Sequence, residues 1–248
     1  MMDKNKHNKD DEIKFIKGLY DEANKKIEEI YKEHKSNKDK LLKEIAFVLL
    51  LYKINDSIMK LNDTEKLKLN KKFLAIISTF FNKQVKLTDK IITDILKETA
   101  INTYDFYGGK YTQKDIEDIV NKKYKGKVYT KRIQANENKI ANNLNNDIQE
   151  FITGTIDVNT IKDKIEETYN INDYDVKRLT ESEVNRTEND SFILLAKEAW
   201  IKIVYRHEIL DDRICLDCEA ISEQPFDIDE APDGAIHANC RGWNSIYK

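Results

Sequence analysis

Residues that break helices and form tight turns are scarce in this chain. Only 7 of its 248 residues are glycine and 2 are proline. An all-β sandwich needs many tight turns, which depend on these two residue types, so their scarcity favours long helices. From Ile13 onward, apolar side chains recur at helical spacing opposite a charged face. The sequence therefore predicts a mainly α fold.

The chain divides into four predicted segments. Residues 1–11 are almost wholly polar and are expected to form a disordered or frayed tail. A helical bundle is expected over residues 12–108, followed by a second helical segment over residues 109–200. Residues 201–248 form the last segment and make the C-terminal domain α+β. The boundary between the helical parts is placed at Gly108 to Tyr111, because glycine commonly ends a helix.

Four helices are predicted in the N-terminal bundle. The first begins near Ile13, and the second runs from about Leu41 to Leu61. Asn62 to Thr64 offer N-caps for the third helix. Thr88 is a good cap for the fourth, which is expected to stop at Gly108 and Gly109.

The second half of the chain contains further cap signals. Thr112 is followed by Asp115 three residues later, a pattern that predicts the start of a short helix. A long helix is expected to end at Gly154. Asn172 or Asp173 is predicted to open the last helix.

A strand is predicted directly after that helix. Residues Ile201 to Tyr205 are rich in β-branched side chains and alternate between apolar and polar. This strand leads into a small β-hairpin knuckle at the end of the chain.

All three cysteines and one of the four histidines lie in the last 34 residues. Their order is Cys-x2-Cys, then 18 intervening residues, then His-x2-Cys. Two such pairs can complete a tetrahedron around one ion, and a closed set of four protein ligands suits structural zinc. The sequence therefore predicts one structural zinc ion. Its ligands are Cys215, Cys218, His237 and Cys240.

The same residues allow other interpretations. Three buried thiols would not be expected to cluster in this way, and a redox-active Cys-x2-Cys pair would leave His237 and Cys240 without a role. Acidic groups such as Asp217 or Asp227 can substitute for one of the ligands. A metal-dependent nuclease is disfavoured, because His207 is the only other histidine nearby.

The charge is unevenly distributed although the chain carries a net charge of −3. Residues 110–132 hold eight basic and three acidic side chains, whereas residues 208–233 hold ten acidic and one basic. The basic stretch can contact nucleic acid phosphates, with tyrosine available to stack on bases. The alternative is a solvated loop whose long side chains cover a helix face. Candidate nucleic-acid contacts are Lys122, Lys123, Tyr124, Lys125, Lys127, Lys131 and Arg132.

A membrane association is not expected. The longest apolar run, Ile45 to Tyr52, is far shorter than the ~20 residues that span a bilayer. The first dozen residues are charged and contain no apolar signal segment.

The C-terminal residues form a motif that resembles a known family. After the first cysteine pair come a phenylalanine, an acidic-Ala-Pro stretch at Glu230 to Pro232, and a His-x2-Cys-Arg segment. The helix before residue 200 carries a second, weaker match. The matching positions are Glu183, Asn185, Arg186, Asp211, Arg213, Phe226 and Arg241, together with the metal ligands. This pattern resembles the phage head morphogenesis domain of Mu F-like minor head proteins.

The resemblance covers roughly residues 108–248. The chain departs from the family pattern at Ile221 to Glu223, where a Leu-Asp-Gly turn is usual. It also has Ala238 in place of a proline and Gly242 in place of a frequent extra cysteine. Residues 109–200 would then be the helical part of the head morphogenesis domain, and residues 201–248 its zinc knuckle.

The resemblance implies a structural virion protein and not an enzyme. Proteins of this family are minor capsid components that associate with the portal and act in procapsid assembly and in DNA packaging or ejection. The implied partners are the portal protein and the major capsid or scaffold proteins, with packaged double-stranded DNA as a further possibility. The implied location is the inside of the virion head, after synthesis in the bacterial cytoplasm. A zinc-stabilised module that contacts DNA through residues 110–132 is the alternative, and a metal-dependent nuclease ranks third.

Overall fold

A computed structural model of the chain describes residues 7–209, 214–237 and 240–247. Helices dominate these residues, and the predicted mainly α fold is confirmed. The helices are α1 (Lys9–Leu51), α2 (Asp63–Tyr107), α3 (Gln113–Val120), α4 (Tyr129–Thr153), α5 (Val158–Glu198) and α6 (Leu216–Ile221). The strands are β1 (Ile54–Asn55), β2 (Ile58–Met59), β3 (Ile203–His207), β4 (Pro225–Asp227) and β5 (Trp243–Ser245). None of the helices within the described residues is both long and apolar enough to cross a membrane.

Three helices are longer than predicted. Helix α1 unites the first two predicted helices and α2 unites the third and fourth, so Thr88 lies inside a helix and caps none. Asn172 and Asp173 likewise lie inside α5. Their polar side chains bind neighbouring side chains: Thr88 accepts a hydrogen bond from Gln84, and Asp173 contacts His34. A cap-forming residue type caps a helix only where the backbone leaves the helix, and at Thr88, Asn172 and Asp173 it does not.

The predicted second helix, from Leu41 to Leu61, ends early at Leu51. A two-stranded antiparallel hairpin of β1 and β2 follows it, with Ile54 opposite Met59. Asp56 and Ser57 both have positive φ angles, 49° and 64°. Two such residues form the type I′ turn that matches the twist of a hairpin. This hairpin was missed because glycine, the usual marker of such a turn, is absent from it.

Other helix ends follow the predictions. Thr112 caps α3 in a reciprocal capping box with Asp115, as its spacing indicated. Gly108 and Gly154 follow the ends of α2 and α4 with φ angles of 72° and 76°. Only glycine adopts this left-handed conformation without steric cost, so both helices stop there.

The predicted N-terminal tail is partly helical. Residues 1–6 lie outside the described residues, and α1 already begins at Lys9. The imidazole of His7 lies 2.8 Å from the carbonyl oxygen of Phe106, and the two rings stack with centroids 3.9 Å apart. A contact with a residue so far away in sequence orders this segment despite its polar composition.

The chain forms two compact units. The first consists of Met1–Lys26, Ile91–Tyr129 and Lys177–Lys248, and the second of Ile27–Lys90 and Thr130–Val176. Each unit therefore combines segments that are distant in sequence. The predicted segments, by contrast, follow one another along the chain, and the expected boundary at Gly108 to Tyr111 falls within one segment of the first unit.

Each unit has its own interior. The second unit has an apolar core of isoleucine, leucine and aromatic side chains, among which Leu41, Phe73 and Phe151 are fully buried. In the first unit, β3 is the central strand of a three-stranded antiparallel sheet, between β4 and β5. Val204 of β3 lies opposite Phe226 of β4, one of the motif residues. This sheet positions the C-terminal site.

Candidate metal centre

The four predicted metal ligands come together at the C-terminus. Cys215 directly precedes α6, and Cys218 lies in the first turn of that helix. The imidazole Nε2 of His237 lies 3.0 Å from Cys215 Sγ and 3.1 Å from Cys218 Sγ. Cys240 approaches from the other side, with its sulfur 3.6 Å from Cys218 Sγ. The predicted cluster of three cysteines and one histidine is thus confirmed.

The ligand atoms of Cys215, Cys218 and His237 lie within 4.8 Å of one another, whereas Cys240 forms a second such group with Cys218 and Glu208. One ion held by all four predicted ligands therefore requires Cys240 to move toward Cys215 and His237. Bond lengths of about 2.3 Å to sulfur and 2.0 to 2.1 Å to nitrogen give tetrahedral edges of about 3.8 Å between sulfurs and about 3.6 Å between sulfur and nitrogen. The distance between Cys218 and Cys240 is close to the sulfur edge. The distances to His237 are shorter by about 0.5 Å, so a small outward movement of the imidazole accommodates an ion.

Main-chain hydrogen bonds position both ligand pairs. The backbone N–H of Cys218 donates to Cys215 Sγ at 3.4 Å, and the N–H of Cys240 donates to the carbonyl of His237 at 3.2 Å. The first of these bonds lowers the pKa of Cys215. Burial raises the pKa of Cys218, with a further contribution from its contact with Cys215. A metal ion must therefore displace a proton from Cys218, whereas Cys215 is closer to the thiolate form that binds metal.

Two functional residues of this site were missed in the sequence. Both carboxylate oxygens of Glu208 lie 3.9 Å from Cys240 Sγ, and the guanidinium of Arg206 lies 3.5 Å from the same sulfur. Ligand atoms of Glu208, Cys218 and Cys240 all lie within 4.8 Å of one another, so this carboxylate is an additional candidate ligand. Alternate side chains of a strand share a face, so Arg206 lies on the same face of β3 as Val204. No residue near Arg206 in the sequence indicates that it contacts a cysteine.

Arg206 connects the sheet to the loop between the ligand pairs. Its side chain is fully buried and donates from Nε to Glu208 at 2.9 Å. It also donates to the carbonyl oxygens of Asp233 and Gly234 at 3.3 and 2.7 Å. A buried guanidinium needs such partners, because it cannot lose its charge. Arg206 therefore holds both the loop and the carboxylate beside Cys240.

Helix α5 anchors the segment that follows the last ligand. The amide of Asn185 donates to the carbonyl oxygen of Gly242 at 2.7 Å and to the hydroxyl of Tyr20 at 2.9 Å. One turn later, the carbonyl oxygen of the Asn189 side chain accepts from the backbone N–H of Asn244 at 2.9 Å. These buried amides join α1, α5 and β5 around the metal ligands.

The other motif residues have more local contacts. Glu183 accepts a hydrogen bond from Arg186 at 2.6 Å on the same helix face. Phe226 and Arg241 are half-buried. Asp211 and Arg213 lie outside the described residues.

Replacing Gly234 with alanine is expected to destabilise this region by about 1 to 3 kcal/mol. A Cβ atom at this position would lie 2.6 Å from the backbone oxygen of Asn185 and 2.7 Å from the amide nitrogen of Asn189. Urea unfolding measures the loss. Gly18→Ala, inside α1, is the control, because a Cβ atom at this position would have no neighbouring atom within 4 Å. Gly18→Ala should stabilise the protein by about 0.5 to 1 kcal/mol. An equal change in the free energy of unfolding for both variants would contradict the close contact of Gly234 with Asn185 and Asn189.

The basic stretch does not form one continuous surface patch in a single unit. Lys131 and Arg132 belong to the second compact unit, and the other candidates to the first. Lys122 pairs with Asp190 at 2.5 Å. Tyr124 has the guanidinium of Arg186 at 3.6 Å from its ring centroid. Lys123, Lys125, Lys127 and Lys131 are exposed, and Arg132 is half-buried.

Tyr124 contacts the loop that carries His237. Its hydroxyl donates to the carbonyl oxygen of Ile236, next to His237, at 3.2 Å. One face of its ring is used by Arg186 of the same chain. The role of this stretch in binding nucleic acid stays a prediction, and binding to duplex DNA over a range of salt concentrations would test it.

His207 is buried among partners in the first unit. Its ring nitrogens lie 3.1 Å from Glu223 Oε1 and 2.8 Å from the carbonyl oxygen of Tyr247. The ring lies beside Trp243, with centroids 5.3 Å apart. These contacts give this histidine a structural role in the sheet.

A buried carboxyl group on α5 is another feature that sequence did not reveal. Glu188 is 1% exposed, and neither of its oxygens has a hydrogen-bond donor within the described part of the chain. Burial raises the pKa of Glu188 well above its ordinary value of 4.5, and the charge of Glu12 raises it further. Arg206 opposes this effect.

Glu188→Gln is therefore expected to stabilise the protein by on the order of 1 to 3 kcal/mol at neutral pH. The folded chain retains this proton at pH values where the unfolded chain has lost it. The protonated carboxyl of Glu188 is the form that the fold accommodates, so the wild-type protein has its full stability with respect to this group below pH 4.5. The free energy of unfolding then falls as the pH rises from 4.5 toward the pKa of Glu188 in the folded state. Urea unfolding across this range measures the effect. The exposed Glu198→Gln should behave as wild type, and a Glu188→Gln profile parallel to wild type would contradict the prediction.

Comparisons with known proteins identify no relative of this chain. No family model, curated protein or solved structure matches the chain.

Proposed function

We propose that the Cys/His cluster binds one zinc ion with a structural role. Three sulfur ligands and one imidazole nitrogen in a tetrahedron suit zinc among the common biological metals. Four protein ligands leave no open position for a substrate, which separates a structural site from a catalytic one. The segment carrying the ligands has few buried apolar residues, chiefly the cluster of Cys218, Ala235 and Cys240. A metal ion then stabilises a segment whose apolar core is too small to do so alone.

We further propose that the protein is a portal-associated minor head protein of a phage. The observation that carries this proposal is the connection between the helical motif and the backbone of the segment that carries the C-terminal motif. Asn185, from the helical motif, donates to the carbonyl of Gly242, two residues after the ligand Cys240. The motif residues thus act together in one scaffold whose contacts are structural, which suits a protein that acts by assembly.

The acidic surface of the C-terminal segment suits a docking role. Asp217, Glu219, Asp227 and Glu230 are exposed around the metal ligands. An acidic surface attracts a basic protein surface and repels nucleic acid phosphates. We therefore place the contact with the portal or another capsid protein at this segment.

The test is the protein content of purified heads from the phage or prophage that encodes the chain. Wild-type protein is expected in procapsids and virions, and it should remain with the portal when the heads are opened. A variant with lysine at Asp217, Glu219 and Glu230 should fold and bind zinc but be depleted from the particles. Absence of the wild-type protein from every head preparation would refute the proposal.

A further inference from the structure

The second compact unit contains a partly open cavity of about 20 Å³. Helices α1, α2, α4 and α5 each contribute lining residues, both polar and apolar. A volume of about 10 to 15 Å³ on this measure is enough for one water-sized particle. The cavity therefore has room for one small ion or one or two water molecules.

Four oxygens of the side chains that line this cavity have no hydrogen-bond donor among the described residues. They are Asn37 Oδ1, Gln84 Oε1, Glu137 Oε1 and Asn172 Oδ1. Each of these side chains is at most 3% exposed, so bulk water does not reach them. Buried polar atoms are normally paired, and four unpaired acceptors beside one cavity indicate a shared ligand.

The hydrogen bonds around His34 determine how one of these amides is oriented. His34 Nδ1 lies 2.5 Å from a carboxylate oxygen of Asp173, which can only accept, so Nδ1 carries the proton. His34 Nε2 then accepts from the amide nitrogen of Asn172 at 3.0 Å. This leaves the oxygen of Asn172 without a donor.

Gln84 is oriented by a similar argument. Its amide nitrogen donates to the hydroxyl oxygen of Thr88 at 3.3 Å, which leaves its oxygen unpaired. In Gln84 and Asn172 the unpaired atom is therefore the oxygen, because the amide nitrogen already donates. A ligand that attracts several oxygens at once fits them better than one that also needs a donor.

Charge selects the kind of ligand. Glu137 is the only carboxylate that lines the cavity among the described residues, and His34 Nε2 lies 4.0 Å from its Oε1 atom. Burial raises the pKa of Glu137, although the charge of His34 and side-chain hydrogen bonds from Asn172 and Thr88 oppose this effect. A cation beside the unpaired Oε1 atom would favour the ionised form further. A monovalent cation balances one carboxylate, whereas a divalent cation would leave an uncompensated buried charge.

We propose that this cavity is a binding site for a monovalent cation. Glu137 supplies the balancing charge, and the amide oxygens of Asn37, Gln84 and Asn172 supply neutral ligands. The ion joins four helices of the second unit and stabilises them. The site is independent of the zinc centre, because all of its residues belong to the second unit.

Thermal unfolding of the zinc-loaded full chain tests the proposal in KCl, NaCl and choline chloride at equal ionic strength. Choline is too large for the cavity, so only the alkali ions should stabilise. We expect the Tm to rise by about 3 to 5 °C for each tenfold rise in KCl or NaCl above the Kd. Glu137→Gln should lose this dependence. The matched control, Glu167→Gln on the exposed side of α5, should keep it.

A second measurement needs no variant. Crystals of the wild-type protein soaked in thallium(I) acetate should show an anomalous peak within about 3 Å of Glu137 Oε1, since Tl⁺ replaces K⁺ at oxygen sites. An identical wild-type Tm in all three salts, with no thallium peak, would overturn the proposal and indicate a site for water. Stabilisation by CaCl₂ or MgCl₂ alone would overturn it in favour of a divalent ion.

Discussion

Replacing Cys218 with serine is expected to abolish metal binding and to unfold the C-terminal segment. Cys218 is the ligand shared by both groups of candidate ligand atoms, those with Cys215 and His237 and those with Glu208 and Cys240. Its sulfur is buried, so no solvent ligand can replace it. Structural zinc contributes about 10 to 16 kcal/mol of apparent binding free energy in small domains at pH 7, so the loss should exceed about 3 kcal/mol here.

The metal content of protein purified without chelator measures the first part of this prediction. Wild type should hold about one zinc per chain and Cys218→Ser nearly none. Limited proteolysis measures the unfolding of the C-terminal segment. Cleavage should begin within residues 214–247 in the variant but not in untreated wild type. Wild type treated with a chelator should show the same cleavage. A wild-type protein without zinc, and as resistant as the variant, would contradict the metal centre.

Two controls identify the fourth ligand. Asp217→Asn removes an exposed acid next to Cys218 and should leave the zinc content unchanged, which would exclude this residue as a substitute ligand. Glu208→Gln keeps the shape of the side chain but removes its charge. Retention of zinc in this variant assigns the fourth position to Cys240, whereas loss of zinc assigns a ligand role to Glu208.

Arg206→Met is expected to destabilise the protein by about 3 to 5 kcal/mol. The variant fills much of the same volume but leaves Glu208 buried without its ion pair at 2.9 Å. It also removes the guanidinium that donates to the carbonyl oxygens of Asp233 and Gly234. Urea unfolding of the zinc-loaded protein measures the loss. Zinc should also dissociate faster, because Arg206 no longer lies beside Cys240.

A double variant separates charge from packing. Arg206→Met combined with Glu208→Leu removes the uncompensated carboxylate and should recover part of the stability, because an apolar pair often replaces a buried ion pair without loss. Lys202→Met, on an exposed position just before the same strand, should change stability by no more than about 0.5 kcal/mol. An Arg206→Met variant as stable as wild type would show that the buried pair contributes little.

The Cys/His cluster could be predicted because the geometry within each pair of residues is mostly local. Each pair is separated by two residues, so one turn of chain presents both side chains to the same ion. The capping box at Thr112 and the helix stop at Gly154 are local in the same sense. Each depends on backbone angles within a few residues, and sequence specifies those angles directly.

The groups around the site could not be predicted, because their roles depend on residues far away in sequence. Arg206 contacts Cys240 across 34 positions, and Asn185 contacts Gly242 across 57. The same limit explains Asn172 and Thr88, whose local pattern suggests helix caps. Their side chains instead belong to a polar cluster between helices.

By itself, the sequence determined the helical class, several helix ends and the four Cys and His residues of the candidate metal centre. Only the tertiary structure decided where long helices continue, which buried polar groups support the ligands, and which oxygens surround the cavity near Glu137. The physical reason is that helix periodicity and short ligand spacing are set by neighbouring residues. Burial and pairing of charge are set by whichever distant segments pack together.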